Sequence, residues 1–136
     1  MSLGLATALR NNRLDQITAF VGASALLRIY SGTRPATGGS VGAAVLLAQL
    51  TCNATFAPGS SSGVLTLNSI SPANSAAATG TAAWFRLVKA DGTTFCFDGS
   101  ASTVAQGTGD LRLDDTNIVL GGTVAISSGT ITEGNS

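Results

Sequence analysis

The sequence of 136 residues contains two cysteines, seven basic and seven acidic side chains, and no histidine. The missing imidazole excludes Ser-His-Asp and Cys-His nucleophilic machinery, and with it any mixed cysteine–histidine zinc site. Cys52 and Cys96 stand 44 positions apart and outside any CxxC pair. Two thiols do not complete an all-cysteine tetrahedral site within one chain. They read as core thiols on strands in a reducing cytoplasm, with a disulfide as the alternative.

The carboxylates offer little more. Asp110, Asp114 and Asp115 form the densest acidic cluster, but they lack the spacing of an EF-hand calcium loop. Asp114 and Asp115, adjacent on a strand, would point to opposite faces. They are expected to be solvated loop groups. Gly107-Thr108-Gly109 and Ser127-Ser128-Gly129 are glycine-containing turns with no P-loop lysine after them. No catalytic residue, metal site or cofactor is expected, and the chain reads as a non-enzyme. Trp84, the only tryptophan, is expected in the core of a central strand, its alternative being an anchor for a ligand or an interface. Arg28, Arg34 and Arg86 either face solvent or offer forked guanidinium groups to carboxylates of a partner subunit.

The elements that must position these groups follow from periodicity. Leu5, Leu9, Ile17 and Val21 recur at roughly helical spacing, interrupted by Arg13, and predict an amphipathic helix over Ala6 to Phe20 that Gly22 stops. Its docking surface belongs either to this domain or to a neighbouring subunit. From Ala25 the period changes to two. Strands are predicted at Ala25 to Tyr30, Val45 to Cys52, Val64 to Ile70, Asp110 to Asp114, Thr116 to Leu120, Thr123 to Ser127 and Gly129 to Thr132. The clearest hairpin joins Thr81–Lys89 to Thr93–Phe97 through Ala90-Asp91-Gly92. On its first arm Phe85 and Leu87 share one face while Trp84, Arg86 and Val88 share the other, the mark of a central strand covered on both sides. Phe95 and Phe97 are expected to supply aromatic cross-strand contacts. Arg34 to Ser40 and Pro58 to Gly63 read as loops, and Ser71 to Ala78 as an Ala/Ser/Asn linker.

About eight short strands separated by Gly/Ser/Pro/Asn turns predict an all-β fold, an antiparallel β-sandwich or barrel. The division expected is a helical arm over residues 1–22 and a β-domain over 23–136. Charged residues are only 10% of the chain with no net charge, which argues against a phosphate-dominated nucleic-acid partner. No apolar run approaches the length of a membrane span, and from Met1 to Gly4 no signal peptide is expected. Weakly charged, near-neutral surfaces tend to associate. Lys89 is the only lysine and Glu133 the only glutamate, residue types that interface cores usually exclude.

The stretch Leu27-Arg28-Ile29-Tyr30-Ser31-Gly32-Thr33-Arg34-Pro35-Ala36 resembles small structural proteins of tailed bacteriophages, specifically head decoration or cement proteins with a jelly-roll fold. Thr79-Gly80-Thr81-Ala82-Ala83-Trp84-Phe85-Arg86, the Asp91-Gly92-Thr93-Thr94 hairpin, Gly121-Gly122-Thr123-Val124 and Thr130-Ile131-Thr132 extend the likeness, as does the leading Leu5-to-Arg13 helix. The resemblance implies a jelly roll of two antiparallel sheets, homodimeric or otherwise oligomeric. It implies a protein made in the bacterial cytoplasm and located in the virion, where copies clamp the major capsid protein lattice from outside through many weak contacts acting together. Leu5, Leu9, Arg13, Arg28, Arg34 and Arg86 are the residues expected to face partners. A tail, neck or fibre-associated role suits the same loops. A carbohydrate-binding attachment module suits them less, because aromatics are 5% of the chain.

Overall fold

The computed structural model describes residues 4–103, 111–113 and 115–132. The protein is mainly β with one helix. In chain order the elements are α1 (Thr7–Val21), β1 (Leu26–Tyr30), β2 (Leu46–Thr51), β3 (Val64–Thr66), β4 (Gly80–Thr81), β5 (Trp84–Val88), β6 (Phe95–Thr103), β7 (Leu111–Leu113), β8 (Asn117–Ile118) and β9 (Ile126–Thr132). Seven strands form one curled sheet in the order β2-β1-β5-β6-β7-β9-β3, and β4 pairs with β8 separately. The sheet is mixed: β6 and β7 run parallel, while its other described pairs are antiparallel.

Strand β5 is central and buried along its whole length, as its two bulky faces predict. Phe85 and Leu87 join the main core with Leu27, Ile29, Leu47, Leu50, Leu65, Leu113 and Val124. The Ser71–Ala78 segment is no slack linker. Ser71 bridges to Thr51 and Ala73 to Val124, while the Ala76 N–H donates to Gly122 O at 2.9 Å and the Ala77 N–H to Leu47 O at 2.8 Å. Its small side chains let the backbone approach β2 on one side and the 122–124 strand end on the other, so it ties the curled sheet across.

Helix α1 spans 15 residues and ends at Gly22, whose φ of 74° places it in the left-handed region. The buried residues are Leu14 and Val21, with Ile17 packed beside them, and Leu9 is 48% exposed. The predicted stripe therefore gives way at Leu9. Five residues at about 100° each put Leu9 about 140° round the axis from Leu14. The apolar residues are spread almost evenly about the helix, so periodicity alone does not choose the face. Polar contacts choose it: Asn11 Oδ1 accepts from the Gly63 N–H at 2.9 Å, Asn11 O from the Ser60 hydroxyl at 2.8 Å, and Asp15 Oδ1 from the Ser60 N–H at 2.9 Å. The helix is thus docked on the 58–63 turn of its own domain.

Candidate functional site

Both faces of the β5–β6 hairpin carry chemistry, and a bulge decides which residues meet on each. The turn is set by Asp91, whose carboxylate accepts from the Thr93 and Thr94 N–H groups at 2.9 Å and from the Thr94 hydroxyl. These bonds hold the Asp91 carboxyl down at about 2. Val88 pairs with Phe95, then the register shifts, and Leu87 pairs with Phe97 and Arg86 with Asp98. A bulge of one residue exchanges faces. Phe97 consequently meets Phe85 edge-on at 6.0 Å in the core, whereas Phe95 lies on the opposite face, 5.3 Å from the Arg86 guanidinium carbon.

On that opposite face Arg86 and Asp98 form a bidentate pair, Nε to Oδ1 at 2.7 Å and Nη2 to Oδ2 at 3.0 Å. Their side chains are 11% and 2% exposed. The pair also holds the glycine loop after β1: Arg86 Nη2 donates to Gly39 O at 2.8 Å, and Asp98 Oδ2 accepts from the Gly38 N–H at 3.2 Å. The hydrogen bond to Asp98 raises the Arg86 pKa further above its ordinary value, against the opposing effect of burial. Trp84 is 1% exposed, as expected for a core residue. It stacks on Tyr30 at 4.4 Å, with the Arg86 guanidinium 5.5 Å from its ring. Its buried indole N–H has no hydrogen-bond partner among the described residues.

Of the residues expected to face partners, Arg86 is thus engaged inside its own chain. Arg28 is half-buried and donates to Gln49 Oε1 at 2.9 Å. Leu5 is half-buried, while Leu9, Arg13 and Arg34 are exposed. Asp110 and Asp114 lie outside the described residues, and Asp115 is exposed. Among the described residues no group of three His, Cys, Asp or Glu side chains is placed to hold a metal ion, and no helix is long and apolar enough to cross a membrane.

Beneath α1 the opposite side of β5 and β6 leaves a cavity of about 490 Å³, lined by Ile17, Leu27, Phe56, Phe85, Leu87 and Phe97 among others. Cys52 and Cys96 both line it and both are free thiols. Burial, and secondarily the nearby Cys96, push the Cys52 thiol up to about 11; burial raises Cys96 as well. Neutral thiols at ordinary pH behave as small apolar groups. On the other side of Ile17, Cys96 and Phe97, which line both spaces, lies a groove of about 230 Å³ edged by Arg13, Gln16, Phe20 and Val21 of α1.

The most exposed large apolar residues are features that pattern reading missed. Val119 and Leu120 are each 64% exposed beyond β8, and Phe20 on α1 is 51% exposed. The Lys89 ammonium sits 4.3 Å from the Phe20 ring centre. An unbroken Ile118-Val119-Leu120 run before Gly121-Gly122 was the available signal, since alternation cannot bury three successive residues on one side. Ile118 is buried and the other two are left out. Comparison with known protein families, characterised proteins and solved structures finds no match to this chain.

Proposed function

We propose that this chain is a structural protein of a bacteriophage particle, a decoration protein that binds the outer surface of the major capsid protein lattice and stabilises the head. The observation that carries it is the large apolar side chain left in water on a charge-poor β-domain: Val119 and Leu120 at one site, Leu9 and Phe20 on the helix. Exposed apolar groups on a chain of which only 10% of the residues are charged favour association over life as a monomer. The sequence likeness to decoration proteins supplies the kind of partner. A jelly-roll relationship of the curled sheet to those proteins is part of the same reading.

Cryo-electron microscopy of intact particles tests it. The protein is expected on the capsid exterior in copy number approaching that of the lattice, and a few copies at one vertex would overturn the reading. A tail or neck component is the second reading. It is favoured by the placement of the Phe20 groove and the Leu120 turn at opposite ends of the strands, which suits contact in a ring. A solution assembly of fixed six- or twelvefold order would select it.

A further inference from the structure

We propose that the cavity beneath α1 binds a small, uncharged aromatic molecule. The site lies inside the chain and is separate from the assembly reading above.

Small residues standing on the inner faces of two strands leave the space. Alternation puts Phe97, Gly99 and Ala101 of β6 on one face. Gly99 pairs with Phe85 in regular register, outside the bulge, and Gly129 of β9 pairs with Leu111. Both glycines are buried, and both line the cavity. A glycine inside a strand costs backbone entropy and has no side chain to pack. In a regular stretch it marks a place where another group approaches the backbone closely. The space so left is about 490 Å³. An apolar cavity of about 150 Å³ already takes benzene, so this one has room for a molecule of more than one ring.

The lining selects the chemistry. Phe97 stands edge-on to Phe85 at 6.0 Å and to Phe56 at 6.4 Å, so an entering ring meets both faces and edges. The polarizable sulfurs of Cys52 and Cys96 also favour contact with rings. Asp98 is the one charged residue on the lining. Its carboxylate oxygens are already taken by the Arg86 guanidinium and the Gly38 N–H. An ionic ligand would therefore lose its hydration and gain no counter-charge, and a lining this apolar holds water poorly. Ile70, Cys96 and Ile131 along the wall are only half-buried, so a ligand reaches the cavity without unfolding the core.

The neutral fluorophore N-phenyl-1-naphthylamine, dim in water and bright in apolar surroundings, tests the site on the full chain. Saturable binding of one molecule per chain is expected. Ile70 lines the cavity and not the neighbouring groove, while Phe20 edges the groove and not the cavity. Ile70→Phe, with its circular dichroism spectrum unchanged, should weaken binding at least about tenfold by filling the space, and Phe20→Ala should leave it unaltered. Bromobenzene soaked into crystals of the parent chain should give an anomalous bromine peak among Phe56, Phe85 and Phe97, which decides the matter even where Ile70→Phe fails to fold. Absence of saturable binding would overturn the proposal. So would binding that Phe20→Ala abolishes and Ile70→Phe keeps, or a bromine peak outside the cavity. None of these outcomes bears on the capsid reading, whose test is the position of the protein in the particle.

Discussion

Arg86 and Asp98 face each other across β5 and β6 only because the register shifts by one residue between Leu87 and Val88. Without the shift Arg86 would stand opposite Phe97. The same shift places the pair under the glycine loop that it holds through Gly38 and Gly39.

Removing one member of this pair should be severe. Asp98→Ala leaves a guanidinium buried without its counter-charge, and breaking such a pair costs about 3 to 5 kcal/mol. Replacing both, as Arg86→Met with Asp98→Leu, should cost clearly less, because no buried charge is then orphaned. Urea unfolding of the three proteins gives the comparison, and equal losses in single and double variants would contradict it.

The helix offers a contrast between two leucines. Leu14 is fully buried, and Leu14→Ala should cost about 2 to 5 kcal/mol. Leu9→Ala, on the exposed side, should fall within about 0.5 kcal/mol of the parent. Thermal unfolding at a concentration where the protein is monomeric distinguishes them.

The thiols set an alkaline limit. The unfolded Cys52 thiol loses its proton from about 9, whereas the folded one keeps it to about 11. Between those values the unfolded state binds fewer protons, so stability falls as pH rises through the window. Cys52→Ala should flatten that fall. In the native protein at pH 8, iodoacetamide should label Cys96 slowly and Cys52 more slowly still, with both reacting on denaturation.

Asp91 sets the opposite limit. Its carboxyl titrates near 2 when folded and near 3.9 when unfolded. The stabilisation is therefore present above about pH 4 and is lost as pH falls toward 2. Asp91→Ala should lower the unfolding temperature at pH 7, and the gap from the parent should close across that acidic window.

How far the fold was legible depends on whether one local rule governed each element. The Asp91-Gly92 turn, the stop at Gly22 and the doubly covered β5 are local, and pattern reading finds them. The face of α1 was not legible, because Leu9 and Leu14 are equally apolar and the choice is made by Asn11 and Asp15 bonding to residues 60–63. The opposite placement of Phe95 and Phe97 was not legible either, since alternation assigns them to one face and only the bulge separates them. For the candidate site, the arginines were visible as residues, but Asp98 as the partner of Arg86 depended on that same bulge. The parallel β6–β7 pairing was not legible either, because its partners stand only ten residues apart, a spacing at which pattern reading expects an antiparallel hairpin.

The strand order carries a consequence for how the chain is made. β3 ends at Thr66, yet its partner β9 runs to Thr132, and β1 must wait for β5. Pairings so distant in sequence form slowly, because loop closure precedes any gain from contact. During synthesis β3 leaves the ribosome with its edge unpaired for some sixty further residues, long enough for a neighbouring nascent chain to compete for it. Dense expression should therefore favour misassembly before β9 is made and can pair with β3.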